Sequence, residues 1–118
     1  MNKKILVVDD DRLNLTLLQI GLKHKDYDVV TAQNGEEALA VVKAEKIDAI
    51  VLDIQMPKMN GYDFMKELQM MPQGKVPVIM LTASETMQDV FFMEGVRGYL
   101  VKPVDLEKLD QKITSCLA

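Results

Sequence analysis

Five short aliphatic runs, separated by longer segments of helical period, set the strongest limit on what this chain can fold into. They are Lys4–Val8 (KILVV), Asp28–Ala32 (DVVTA), Ala49–Asp53 (AIVLD), Val78–Thr82 (VIMLT) and Tyr99–Val101 (YLV). Most are unbroken rather than alternating, so strands made from them must be covered on both faces, as in a parallel sheet layered between helices. In the first intervening segment Leu13, Leu17 and Ile20, with Leu18 and Leu22 beside them, recur at i, i+3, i+4 behind Asp11, a predicted N-cap. Asn34-Gly35 opens the next, with Ala38, Leu39 and Val42 directed inward. Gly61–Met70 carries Phe64, Met65 and Leu68 and is stopped by Pro72 and Gly74, and Asp105 starts a last helix with Leu106, Leu109, Ile113 and Leu117 at the same spacing.

The resulting order is (βα)5. With 118 residues, 48% of them hydrophobic, the chain is long enough for one domain with a core and too short for two, and it shows no linker, repeat or low-complexity segment. Right-handed crossovers and short loops resolve this order into one doubly wound five-stranded α/β sheet. In such sheets ligands bind outside the carboxyl ends of the strands, where the winding direction switches.

Charge and composition exclude several functions. No apolar run approaches the ~20 residues that cross a bilayer. The basic start Asn2-Lys3-Lys4 leads into too few apolar residues for a signal peptide, so a cytoplasmic protein without membrane contact is expected. A net charge of −4 without a Lys/Arg-rich tract argues against direct nucleic-acid binding. The lone Cys116 cannot form an internal disulfide and falls in a helical apolar pattern, and His24 stands in a polar stretch with no catalytic assignment.

The polar residues at the strand ends are the candidates for chemistry. The first strand ends in Asp9-Asp10-Asp11, the third in Asp53 and the fourth in Thr82, and the fifth is followed by Lys102-Pro103. Singly, these are a helix cap, an Asx-type loop start before Pro57, a helix-start residue and a solvated lysine. Together they bring at least three carboxylates to one crevice, where mutual repulsion calls for a proton or a cation. Mg²⁺ suits one or two carboxylates plus waters and phosphate oxygens, and Asp9, Asp10 and Asp53 offer that partial site. Lys102 and Thr82 then stand where a phosphoryl group needs a charge and a hydroxyl donor, and a carboxylate such as Asp53 can itself be the nucleophile, giving an aspartyl phosphate.

VVDDD at the first strand, VLDIQMPKMNG with its D-x-x-M-P-x-x-x-G spacing, MLTAS at the fourth strand and GYLVKP near the end closely resemble the receiver domains of two-component response regulators, over essentially the whole chain. The resemblance implies a flavodoxin-like fold of strand order 2-1-3-4-5, the order the chemotaxis response regulator of this family illustrates. It implies a single receiver over residues 1–118 with no output domain in this chain. Asp53 would accept a phosphoryl group from a phosphohistidine on a sensor kinase or phosphotransfer protein. Asp10 would bind Mg²⁺ directly, Asp9 chiefly through water, and the Gln55 carbonyl would complete the protein ligands with Asp53. Thr82 and Lys102 would hold phosphoryl oxygens, the Lys102–Pro103 peptide would be cis, and Thr82 with Tyr99 would form the switch. The charge change would alter the surface of the fourth helix, fifth strand and last helix for a downstream output domain or protein, in a monomer or a phosphorylation-dependent dimer. Autophosphorylation and autodephosphorylation would be its only catalysis.

Three competing readings fit less well. A haloacid-dehalogenase-type phosphohydrolase wants an Asp two residues past the nucleophile, where Gln55 stands. A flavin or nucleotide carrier wants a glycine-rich phosphate loop in place of the Asp triplet. A degenerate receiver, binding partners without phosphorylation, has no need of the full acidic, Thr and Lys set. Two departures from the family pattern touch the output face: the stretch from Thr82 to Gly95 is about two residues short, which predicts a short or shifted fourth helix, and Arg97-Gly98 replaces acidic or small residues. Within MQDVFFMEG, Phe91 is the expected exposed partner contact beside Tyr99, and Gln55 and Ser84 are expected to tune hydrolysis by controlling water access.

Overall fold

A computed structural model describes residues 2–53, 61–82 and 95–117. It contains β1 (Lys4–Val8), α1 (Arg12–Lys23), β2 (Asp28–Ala32), α2 (Gly35–Ala44), β3 (Ala49–Asp53), α3 (Gly61–Gln69), β4 (Val78–Thr82), β5 (Val96–Val101) and a last helix, Leu106–Leu117. All strand pairs are parallel and the order is β2-β1-β3-β4-β5. The expected short fourth helix, with Phe91, lies outside the described residues.

Alternation along the strands divides the core in two. Leu6, Val8, Ile50, Leu52, Val78 and Met80 point to the side covered by α2 and α3, against Val42, Phe64, Met65 and Leu68. Ile5, Val7, Val51, Ile79 and Leu81 point to the side covered by α1 and the last helix, against Leu18, Leu22, Leu109 and Ile113. β3 and β4 are buried along their whole length, as unbroken aliphatic strands require.

The helix starts follow the sequence signals. Asp11 Oδ1 accepts from the Leu13 and Asn14 amides, Asn34 Oδ1 from Glu37, and Asp105 Oδ1 from Glu107 and Lys108. At the end of α3 a Cβ on Gly74 would collide with the Leu68 carbonyl, so glycine is needed where the chain doubles back.

Two expectations are corrected. Leu13, Leu17 and Ile20 are 65%, 56% and 51% exposed, and the buried leucines of α1 are Leu15, Leu18 and Leu22. Two helical stripes are available in this leucine-rich segment, and the sheet takes the one whose i, i+3, i+7 spacing meets the last helix. The fifth strand also begins at Val96, three residues before the expected Tyr99. Its first half is irregular, because Val78 pairs with Val96 and Ile79 with Gly98, leaving Arg97 as an extra residue in a bulge.

The α1 correction predicts unequal costs for two neighbouring substitutions. Leu18→Ala should cost about 2–5 kcal/mol as a core cavity, whereas Leu17→Ala should stay within about 0.5 kcal/mol. Urea unfolding of the two variants, compared at equal denaturant slope, checks this.

Candidate functional site

Strand register assembles the site. Val8 pairs with Leu52, which sets Asp9 beside Asp53 one step further along. Asp53 pairs with Leu81, so Thr82 follows at the next level, and Thr82 pairs with Val101, so Lys102 follows in turn. The last step is fixed by a 2.7 Å hydrogen bond from the Lys102 amide to the Thr82 carbonyl. Four chain segments thus deliver Asp9, Asp53, Thr82 and Lys102 to one corner of the sheet, at the carboxyl ends of β1, β3, β4 and β5.

Asp9, Asp53 and Thr82 are buried, at 1%, 3% and 1% exposure, while Asp10 is exposed. The Lys102 ammonium donates to Asp53 Oδ2 at 2.9 Å. The Asp11 amide donates to Asp9 Oδ1 at 3.0 Å. Asp9 Oδ2 is, among the described residues, a buried side-chain oxygen with no hydrogen-bond partner. Burial pushes the Asp9 carboxyl up to about 6, helped by the negative charge of Asp53 and opposed by the Asp11 amide and Lys102. The Lys102–Pro103 peptide is cis.

This arrangement fits a hard divalent cation. Asp9, Asp10 and Asp53 each offer a carboxylate oxygen, all within 4.8 Å of one another, and one of the buried oxygens lacks a partner. An all-oxygen donor set with several open positions matches Mg²⁺. The cation's charge would also offset the burial cost and the Asp53 repulsion that raise Asp9. Gln55 and Ser84, the remaining predicted site residues, lie outside the described residues. Tyr99 is 39% exposed on β5 and stands outside the carboxylate cluster.

Sequence reasoning missed two features. Lys102, which the resemblance places on a phosphoryl group, pairs here with the Asp53 carboxylate. A groove of about 690 Å³ also runs from Asp9 and Lys102 to Asn14, Leu17 and Leu106, bringing the exposed stripe of α1 up to the site. The signal was present: α1 starts directly after the Asp triplet, so its first turns must flank the pocket.

Comparison with known proteins agrees with this geometry. The model of the response regulator receiver domain matches residues 5–114. The alkaline phosphatase synthesis transcriptional regulatory protein PhoP of Bacillus subtilis is 43% identical over 121 residues, covering 99% of this chain and 49% of that protein. The chain spans about half the length of this relative and a smaller share, 26%, of the transcriptional regulatory protein GlrR of Escherichia coli, to which it is 40% identical. Among solved structures, chemotaxis protein CheY4 of Vibrio cholerae superposes with a TM-score of 0.92 at 34% identity, covering 99% of this chain and 100% of that one. The receiver domain of a Pseudomonas aeruginosa sensor histidine kinase, solved with a magnesium ion coordinated in its active-site cleft, gives 0.90 at 27% identity, with 99% and 98% covered.

The raised Asp9 group has a defined pH signature in the absence of divalent cations. Its folded value lies above the ordinary 3.8, so its contribution to stability is complete below about pH 4 and is lost as the pH rises through about 6. Asp9→Asn, which keeps the acceptor for the Asp11 amide, should therefore stabilise the metal-free protein at pH 7.5 by about 1 kcal/mol after allowance for solvent screening. That gain should vanish below pH 4, as calorimetric midpoints taken across this range in a chelating buffer will test.

Proposed function

Since the chain belongs to the response regulator receiver family, we propose that it takes a phosphoryl group on Asp53 from a histidine kinase or phosphotransfer protein and relays the change to an output domain or protein. The observation that carries this reading is the Asp53 carboxylate, held at the strand end between the Lys102 ammonium and the Asp9 and Asp10 carboxylates.

Each residue has a physical part in the step. An Asp53 oxygen attacks phosphorus, the phosphorus–nitrogen bond of the phosphohistidine breaks, and the imidazole departs with the bonding electron pair. Lys102 holds the carboxylate in place beforehand and then meets the new phosphoryl oxygens, which carry more charge than the carboxylate it leaves. The buried Thr82 hydroxyl, one register step from Asp53, would donate to those oxygens. Asp9, Asp10, Asp53 and the Gln55 carbonyl would hold Mg²⁺, whose charge neutralises the incoming phosphoryl oxygens. The burial of Asp9 and Asp53 limits competing water around the acyl phosphate.

The surroundings favour a protein donor. Leu13, Leu17 and Ile20 form an exposed apolar stripe joined by the groove to Asp9 and Lys102, which suits a helical partner presenting its phosphohistidine to Asp53. On this reading the protein is a switch whose own catalysis is limited to phosphoryl uptake and loss.

Incubation with acetyl phosphate and Mg²⁺ should add one phosphoryl group by intact mass, acid-stable and base-labile. Chelation of Mg²⁺ and Asp53→Asn should each abolish it, and Lys102→Ala should slow it by about tenfold or more while leaving Mg²⁺ binding in place. Incorporation that survives in Asp53→Asn would sink the assignment.

A further inference from the structure

The groove of about 690 Å³ beside the site has two unlike ends. Its volume falls within the roughly 300–1,000 Å³ of small-molecule sites. At one end stand Asp9 and Lys102, the residues that flank the acceptor carboxylate of Asp53. Away from them the walls are apolar, with Leu17 and Leu18 from α1 facing Val104 and Leu106 at the entry to the last helix. Asn14 is the neutral polar residue of the lining. Its backbone amide donates to Asp11 Oδ1, while its half-buried carboxamide has no hydrogen-bond partner among the described residues.

Helical spacing and one close contact build this groove in advance. Asn14, Leu17 and Leu18 are related by i, i+3 and i+4, so they share one face of α1. Leu18 is buried in the core and fixes that face, while Leu17 is 56% exposed along the rim. The opposite wall is fixed because Leu106 occupies the space that a side chain at Gly21 would need. A carboxamide set among leucines costs free energy until a ligand supplies it with a polar atom. The charged residues of the lining, Asp9 and Lys102, both lie at the site end, so a ligand seated here carries its charge at that end and an uncharged body along the rest.

We propose that this groove selects small acyl phosphates with an apolar acyl chain as direct phosphoryl donors to Asp53, a second donor class beside the phosphohistidine protein. The inference rests on the receiver reading and names a substrate for its site. The phosphoryl group lies at Asp53 and Lys102, the Asn14 amide donates to the acyl carbonyl oxygen, and the chain runs along Leu17, Leu18, Val104 and Leu106. An Asp53 oxygen attacks phosphorus, the bond from phosphorus to the bridging acyl oxygen breaks, and the carboxylate departs with the electron pair. One acyl phosphate is exchanged for another, so no proton, oxidant or further energy source is needed. Negative charge grows on the departing carboxylate, where the neutral donor Asn14 can meet it. An acetyl group is too short to cover the leucines, and a sugar or nucleotide phosphate would strand its hydroxyls against them.

The test phosphorylates the whole chain, with Mg²⁺, using acetyl, butyryl, hexanoyl and octanoyl phosphate, and reads a second-order rate constant for each by intact mass. Full burial of one methylene is worth about fourfold in such a constant, so lengthening the chain from acetyl to octanoyl in this half-open groove should raise it about tenfold or more. Octanoate alone should shift the amides of residues 14–18 and 104–106. Val104→Trp, which fills the groove, and the milder Val104→Asn should each flatten the series while the acetyl phosphate rate stays within about twofold, which shows that they fold. Asn14→Leu should slow every acyl phosphate about fivefold and leave phosphoramidate, which has no acyl oxygen, unchanged. A flat series in the wild type, a chain dependence that survives both Val104 variants, octanoate shifts elsewhere, or an equal effect of Asn14→Leu on phosphoramidate would overturn the proposal and leave the groove to a protein partner. A flat series with normal acetyl phosphate incorporation at Asp53 strikes this inference alone, while failure of every donor at Asp53 strikes the receiver reading beneath it.

Discussion

The burial of two neighbouring carboxylates, Asp9 and Asp53, is the constraint around which the rest of this structure is arranged. Parallel register holds both carboxylates at the same level of the sheet, and burial denies them the water that would screen them. The protein relieves only part of the strain: Lys102 neutralises Asp53 and the Asp11 amide serves one Asp9 oxygen, leaving the other without a partner. A fold that sought only stability would have put apolar residues at these positions. The unrelieved charge makes the corner receptive to a cation, and through the cation to a phosphoryl group.

How rigidly that corner is held follows from the strands behind it. β1, β3 and β4 are aliphatic and buried almost throughout, so their carboxyl ends cannot shift singly without disturbing both halves of the core. The two described turns beside the site, after β1 and β5, are short and end in caps of the same acidic type, Asp11 and Asp105. The acidic residues around the site therefore divide their labour, some fixing helix ends and others presenting charge.

Much of this was legible in the sequence. Four strands were found to the residue, because unbroken aliphatic runs bounded by polar residues leave little choice of register or length. The Asp9, Asp53, Thr82 and Lys102 convergence was legible because a doubly wound topology sends every strand end to one edge. Two things were not. Six apolar residues in α1 supply more than one helical stripe, and only the position of the last helix decides which is buried; this is a tertiary fact that period alone does not carry. The start of β5 was hidden because Arg97 and Gly98 interrupt the aliphatic run, and a bulge reads in sequence as a loop.

The last helix joins the site to the surface. On one flank it is pinned: Leu106 sits where any side chain at Gly21 would collide with it, and Lys25 and Tyr27 hold Glu107 and Asp110. On the other, among the described residues, it faces β5, a bulged and half-exposed strand. Lys102 and Pro103 lead from β5 into this helix, and Lys102 is the residue that pairs with Asp53. A change of charge at Asp53, which the proposed function requires, would therefore reach this helix through Lys102 at the end of β5.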